Sequence, residues 1–124
     1  MKINEAINKI DNLKFNAISE EQKIDWLSRL DRMVKTQIID THEGGEGVRF
    51  TGYNGDTDLH TELLIPSPFD EVYLRWMEAQ IDYCNGEIDK YNISITMFNT
   101  EFEAFETWYH RTHMPVSHGR RFIF

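Results

Sequence analysis

Residues 69–112 read FDEVYLRWMEAQIDYCNGEIDKYNISITMFNTEFEAFETWYHRT. Leu74, Met77, Ile81, Cys84, Ile88, Tyr91, Ile95, Phe98, Phe102, Phe105 and Tyr109 recur at alternating steps of three and four, an unbroken heptad-like stripe across 36 residues. Such a stripe is the signature of a helix with one buried face. Phe69, Tyr73, Trp76 and Tyr83 form a second apolar edge. Asn85-Gly86 in the middle is a turn signal, which leaves two readings. One is a single kinked helix over about 69–112; Gly86 inside it would cost about 1 kcal/mol, which packing can outweigh. The other is an antiparallel hairpin that breaks at 85–86. The choice has consequences for shape. A continuous helix of that length would run about 66 Å, whereas a compact chain of this size is roughly 35 Å across, so a continuous helix would project and need a partner.

Upstream, Ile3, Ile7, Ile10 and Leu13 keep helical spacing, so a short amphipathic helix is expected at about 3–14. Ser19-Glu20-Glu21-Gln22 is a capping box. After it Ile24, Leu27, Leu30, Val34 and Ile38 share one face, with Trp26, Met33 and Ile39 at the margins, which predicts a helix over about 20–41. From 43 to 67 the helical period disappears and five of the seven glycines gather. Val48-Arg49-Phe50-Thr51 and Leu63-Leu64-Ile65 are its apolar runs, so an irregular or β-hairpin arm is expected. Pro66-Ser67-Pro68 closes it, with Ser67 as N-cap and Pro68 as first helical residue. The fold class read from these patterns is mainly α: a single helical domain, a long arm at about 43–67, and an extended tail at 114–124 ending Arg120-Arg121-Phe122-Ile123-Phe124.

Composition limits function. The chain has 124 residues, 40% of them hydrophobic and 27% charged, and lacks an apolar run long enough to cross a membrane. The N-terminal residues have no secretory pattern, so folding in the cytosol is expected. One cysteine, Cys84, leaves no internal disulfide or Cys-based zinc site and reads as a small buried hydrophobe. The net charge of −8 is uneven: residues 1–42 balance, whereas residues 43–72 carry seven acids against Arg49 alone. Affinity for nucleic acid rests on clustered cations, so a sequence-reading DNA binder is not expected.

Chemistry-bearing patterns are sparse. Asp56, Asp58, His60 and Glu62 alternate and would share one face of a strand, but the spacing fails the EF-hand test. Glu106, His110 and His113 lie on one helix face without an HExxH signature. Asp40-Thr41-His42-Glu43-Gly44-Gly45 lacks the lysine of a phosphate-binding loop and reads as a helix C-cap followed by a flexible turn. No catalytic, metal or cofactor site is assigned, and no enzyme activity is expected.

The stretches DTHEGGEG (40–47) and GYNGDTDLHTELLIPSPFDEVYLRWMEAQIDYCNGEIDKYNISITMFNTEFEAFETWYHRTHMP (52–115) do carry a resemblance. The chain, over about 20–115, is similar to small proteins encoded near the capsid gene in tailed phages and prophages of Gram-positive bacteria. These are read as head–tail connector (adaptor, head-completion) proteins. The most specific parts are the acidic DTDL-TELL-P-P segment, EAQIDY-NGEI-KYN and the closing RTHMP. The resemblance implies a helical virion subunit at the head–tail interface, made in the host cytoplasm. Its partners would be copies of itself in a ring, typically of twelve, the portal protein above, and the next connector or tail protein. DNA would pass through without specific binding. The family brings no active-site residues and no cofactor. On this reading Phe98, Phe102, Phe105 and Tyr109 are expected at subunit or portal contacts. Phe122, Ile123 and Phe124 would dock into a partner, with Arg120 and Arg121 pairing acids at its rim. Asp56, Asp58 and Glu62 would line the channel or meet a neighbour, on an arm expected to be mobile and not packed as core. A different small phage assembly factor, or a helical interaction module unrelated to phages, is the alternative.

Overall fold

The fold is built from helix ends that the local sequence dictates. The structure, a computed structural model, describes residues 1–116. Among them are four α-helices: α1 (Ile3–Leu13), α2 (Glu20–Gln37), α3 (Val72–Cys84) and α4 (Ile88–Thr112). Single 3-10 turns lie at Ile39–Thr41, Gly45–Gly47 and Phe69–Glu71. Ser19 caps α2 by accepting from the Gln22 N–H at 3.1 Å, so the first half of the capping box forms.

The stripe over 69–112 is a hairpin, and the two-way reading is settled at Gly86. Its φ of +71° is the left-handed conformation that glycine adopts without strain. The Gly86 N–H donates to the Tyr83 carbonyl at 3.1 Å and the Glu87 N–H to the Asp82 carbonyl at 2.9 Å. That pair of bonds is a Schellman motif, which satisfies the last carbonyls of α3 and turns the chain. α3 and α4 then pack antiparallel in a fixed register. Tyr83 meets Tyr91, Trp76 meets Phe98, and Phe69 meets Phe105, with ring centroids 5.7, 5.1 and 6.0 Å apart. Each step of seven down α3 is matched by a step of seven up α4. Among the described residues the stripe does not form one continuous helix.

Around this hairpin the core gathers Ile3, Ile7 and Ile10 of α1, Ile24, Leu27, Leu30 and Val34 of α2, and Leu74, Met77 and Ile81 of α3. Trp26 and Ile39, expected at a margin, are buried as well. Two expectations fail at helix ends. Leu13 and Cys84 are exposed, because each is the last residue of its helix and the chain turns away there. Ser67 does not cap a helix: α3 begins at Val72, after the 3-10 turn that follows Pro68.

The arm is irregular, and no strand forms among the described residues; only isolated bridges, Lys2 with Glu62 and His42 with Pro115, occur. The expectation that it stays out of the core is overturned. Leu63 and Ile65 are buried, Ile65 completely, while Leu64 between them is half-buried. The arm also completes α1. The Thr61 carbonyl accepts from the Ile3 N–H and the Leu59 carbonyl from the Asn4 N–H, both at 3.0 Å, which are donors the first turn of a helix otherwise leaves unpaired.

Candidate interaction surfaces

Before any surface, the interior explains how the acidic segment is held. Asp31 of α2 is 0% exposed. One carboxylate oxygen accepts from the Tyr73 hydroxyl at 2.6 Å. The other accepts from the Tyr53 hydroxyl at 2.5 Å and from the Leu64 N–H at 3.0 Å. Tyr73 in turn accepts from the Ile65 N–H at 2.7 Å. Burial pushes the Asp31 carboxyl above its usual range, against the pull of its three donors. Burial, followed by the charge of Asp31, drives both tyrosines well above the usual phenol range. The constellation is a clasp: a buried acid on α2 ties residues 53 and 64–65 of the arm to α3. Its members have no exposed reacting group, and the arrangement reads as structural.

Other buried charges brace the helices in the same way. Lys14 at the end of α1 pairs with fully buried Asp82 of α3, which also accepts from Ser94 of α4 at 2.8 Å. Buried Lys23 of α2 reaches Asp11 of α1 at 2.5 Å. At the far end, His42 Nδ1 lies 2.6 Å from the Ile38 carbonyl. A carbonyl only accepts, so that nitrogen carries a proton. His42 Nε2 then faces His110 Nδ1 at 2.8 Å. Beside this pair the Glu43 N–H donates to the Met114 carbonyl at 2.7 Å and the Val116 N–H to the Thr41 carbonyl at 2.9 Å. The segment after α4 is thereby pinned to the base of the arm.

None of these residues was singled out as a site from the sequence except His42 and His110, which appeared in separate patterns. One signal was present. Ile24, Leu27, Asp31, Val34 and Ile38 step by three and four, so Asp31 sits in phase with the apolar stripe of α2. An acid in that position must be satisfied internally.

The expected contact residues divide by location. Phe98, Phe105 and Tyr109 are buried inside the subunit, and Phe102 is half-buried beside Phe98 at 5.4 Å. Arg120, Arg121, Phe122, Ile123 and Phe124 lie outside the described residues. Asp56, Asp58 and Glu62 are all exposed, and the Asp58 carboxylate accepts from the His60 N–H at 2.9 Å within its turn. The alternation of Asp56, Asp58, His60 and Glu62 does not put them on one strand face, because this stretch is a succession of turns. Among the described residues no group of three or more His, Cys, Asp or Glu is gathered around a point that could hold a metal ion. Glu106, His110 and His113 are likewise not brought together: His113 stacks flat on Tyr109 at 3.8 Å while His110 faces His42.

No family model, no curated protein and no solved structure matches this chain. Large apolar side chains emerge at one end of the bundle: Leu13 at the end of α1 and Phe15 just after it, Tyr83 and Ile88 on either side of the α3–α4 turn. The Lys14–Asp82 pair places these two groups at the same end. Phe15 is 95% exposed on a turn fixed by Asn16, whose side chain donates to the Lys14 carbonyl at 2.8 Å and accepts from the Ile18 N–H at 3.1 Å. A second set, Ile93 and Met97, lies on the outer face of α4. Among the described residues no helix is long and apolar enough to cross a membrane.

Proposed function

We propose that this chain is a structural subunit of a tailed-phage or prophage head–tail connector, assembling with copies of itself beneath a portal, with no catalytic role. The observation that carries most weight is the apolar end formed by Leu13, Phe15, Tyr83 and Ile88 on a chain of net charge −8. Exposed apolar groups of this size, gathered at one end of the bundle, mark contacts with other proteins. The exposed acids Asp56 and Glu62 sit on a segment clasped to the body through Asp31, which suits a wall that DNA passes without sticking. Arg120, Arg121, Phe122, Ile123 and Phe124 supply the docking peptide for the portal in this reading.

Light scattering on the purified chain, alone and mixed with a tailed-phage portal protein, tests the proposal. A closed ring of twelve 14.7 kDa subunits would weigh about 180 kDa. Phe15→Ser and Tyr83→Ser should reduce ring formation while leaving helix content unchanged. A monomer or dimer under both conditions refutes the connector role and favours another small assembly factor.

A further inference from the structure

α4 packs on the body along one side, against α3 and the 3-10 turn Phe69–Glu71. Its opposite face is open and nearly flat, a shape that suits a second helix rather than a small molecule. Ile93 and Met97 stand out there, 63% and 40% exposed, and exposed Thr96, Thr100, Ala104 and Thr107 continue the face. From 91 to 100 the helix has no charged residue, in a chain of which 27% is charged. A helix face turned to water is ordinarily rich in charge. The threonines are also cheap to cover. The Thr96 hydroxyl donates to the Asn92 carbonyl at 2.8 Å and the Thr100 hydroxyl to the Thr96 carbonyl at 3.1 Å, so neither would be left as an unpaired donor.

Charge selects the occupant. Asp89 lies in the first turn of α4 and Arg111 in the last. Both are exposed, and neither has an ion pair among the described residues. Charges at the edges of the face are engaged within the chain, Lys90 with Glu87 at 2.7 Å and Glu101 with Arg75 at 3.2 Å. The positions along the face, 89, 93, 96, 100, 104, 107 and 111, step by four, three, four, four, three and four, the same read from either end. Two copies of α4 laid antiparallel about Thr100 therefore bring Asp89 against Arg111, Ile93 against Thr107 and Thr96 against Ala104, each twice. Glu103, beside this line, comes opposite uncharged Met97. A parallel arrangement would set Asp89 against Asp89 and Arg111 against Arg111. A face complementary to itself under a two-fold axis is what an isologous dimer needs. We infer that a second copy of this chain covers the outer face of α4, antiparallel about Thr100, with Asp89 and Arg111 paired across both ends. From Asp89 to Arg111 the contact runs about 33 Å along the helix. Tyr83 and Ile88 lie where α4 begins, so the pair holds its two apolar ends at opposite extremes and leaves them uncovered. The face is separate from the contacts invoked for a connector, and the pairing does not depend on that reading.

Sedimentation of the purified full-length chain should show pairs of about 29 kDa, twice 14.7 kDa, as its smallest species. Thr100→Arg sets two cations against each other on the axis and should raise the dissociation constant at least about a hundredfold. Position 100 is exposed in the single chain, so helix content by circular dichroism should not change. Asp89→Arg or Arg111→Asp alone should weaken the pair about tenfold, and the two in one chain should restore it. In a Cys84→Ser background, Thr100→Cys should link to its own copy on mild oxidation. Thr96→Cys should not, because its two copies stand about 12 Å apart along the axis, beyond the reach of a disulfide. A mixture of Thr96→Cys and Ala104→Cys chains should link. A monomer as the smallest species, no restoration by the double reversal, or Thr96→Cys linking to itself as readily as Thr100→Cys overturns the proposal. These readouts concern α4 in the chain alone, whereas the connector role is decided on the mixture with portal protein, so either can fail without the other.

Discussion

Asp31→Ala removes one residue and strips three donors of their acceptor at once. The Tyr73 hydroxyl and the Leu64 N–H have no other acceptor in their geometry, whereas half-buried Tyr53 can turn towards water. Two orphaned donors cost about 2–6 kcal/mol. Part of this returns, because burial disfavours the charged form of this carboxyl in the folded state, and deleting the group removes that penalty. The net loss is about 2–4 kcal/mol, a large share of the roughly 6–18 kcal/mol that a chain of this length commands. The midpoint of thermal unfolding by circular dichroism should fall by about 10–15 °C. Location is the sharper test. Amide exchange at Leu64 and Ile65 should accelerate before that of α4, since the clasp holds the arm. Asp31→Asn adds a pH signature. With a folded pKa above the unfolded one, the native state keeps a proton that the unfolded chain has released, so this group's contribution falls as pH rises from about 3.8 upward. The stability of the native protein relative to Asp31→Asn should therefore decline across that window in denaturant titrations. A loss below about 1 kcal/mol for Asp31→Ala, or a relative stability that rises with pH, would show that the clasp is not what secures the arm.

Gly86→Ala places a side chain at a φ of +71° with nothing near the new methyl, so it should cost the about 1–2 kcal/mol of a left-handed residue and no more; a neutral result in urea titration would contradict the Schellman turn. Phe105→Ala should cost about 3–5 kcal/mol and the half-buried Phe102→Ala clearly less, read as the difference between two melting curves; equal losses would mean that Phe102 is cored by something beyond the subunit. Replacing Asp56, Asp58 and Glu62 with Asn, Asn and Gln should leave the melting temperature within a degree or two, since exposed charges contribute little. The same triple variant should alter the salt dependence of assembly if these acids meet a neighbour, and not if they line a channel.

Much of the helical framework was legible because its signals are local. The Ser19 cap, the Ile3–Ile7–Ile10 face and the stripe of α2 each depend on residues within a few positions of one another. The hairpin was legible only as one of two readings, because heptad phase continues across Asn85-Gly86 and phase alone does not distinguish a kink from a turn. The aromatic steps held the missing information. Phe69, Trp76 and Tyr83 recede from the turn by sevens while Tyr91, Phe98 and Phe105 advance by sevens, the pattern of two helices facing each other. The arm misled through its charge. Its acids and glycines read as solvated chain, yet Leu63 and Ile65 alternate inward around Leu64 as short core anchors. The acceptor that holds them, Asp31, is more than 30 positions away, a separation that no local pattern expresses.

The buried acids also bear on how the surface came to be free for other uses. A chain of this size has little core, and this one places Asp31 and Asp82 fully inside it. Each is satisfied by groups from other elements: Asp31 by the arm and α3, Asp82 by α1 and α4. Well-packed apolar residues would often serve stability as well or better. What the acids provide is direction, since a carboxylate with two donors (Asp82) or three (Asp31) restricts the arrangement of the segments that carry them. Apolar packing alone would let the arm slide along the body. The clasp instead fixes Tyr53 and Leu64, so the exposed turns between them are presented in one orientation. At the opposite end of α1, the Lys14–Asp82 pair does the same for the turn that carries Phe15. Two surface features, one acidic and one apolar, are thus each anchored by a buried carboxylate. Loss of either carboxylate should disorganise its own feature first and leave the other in place.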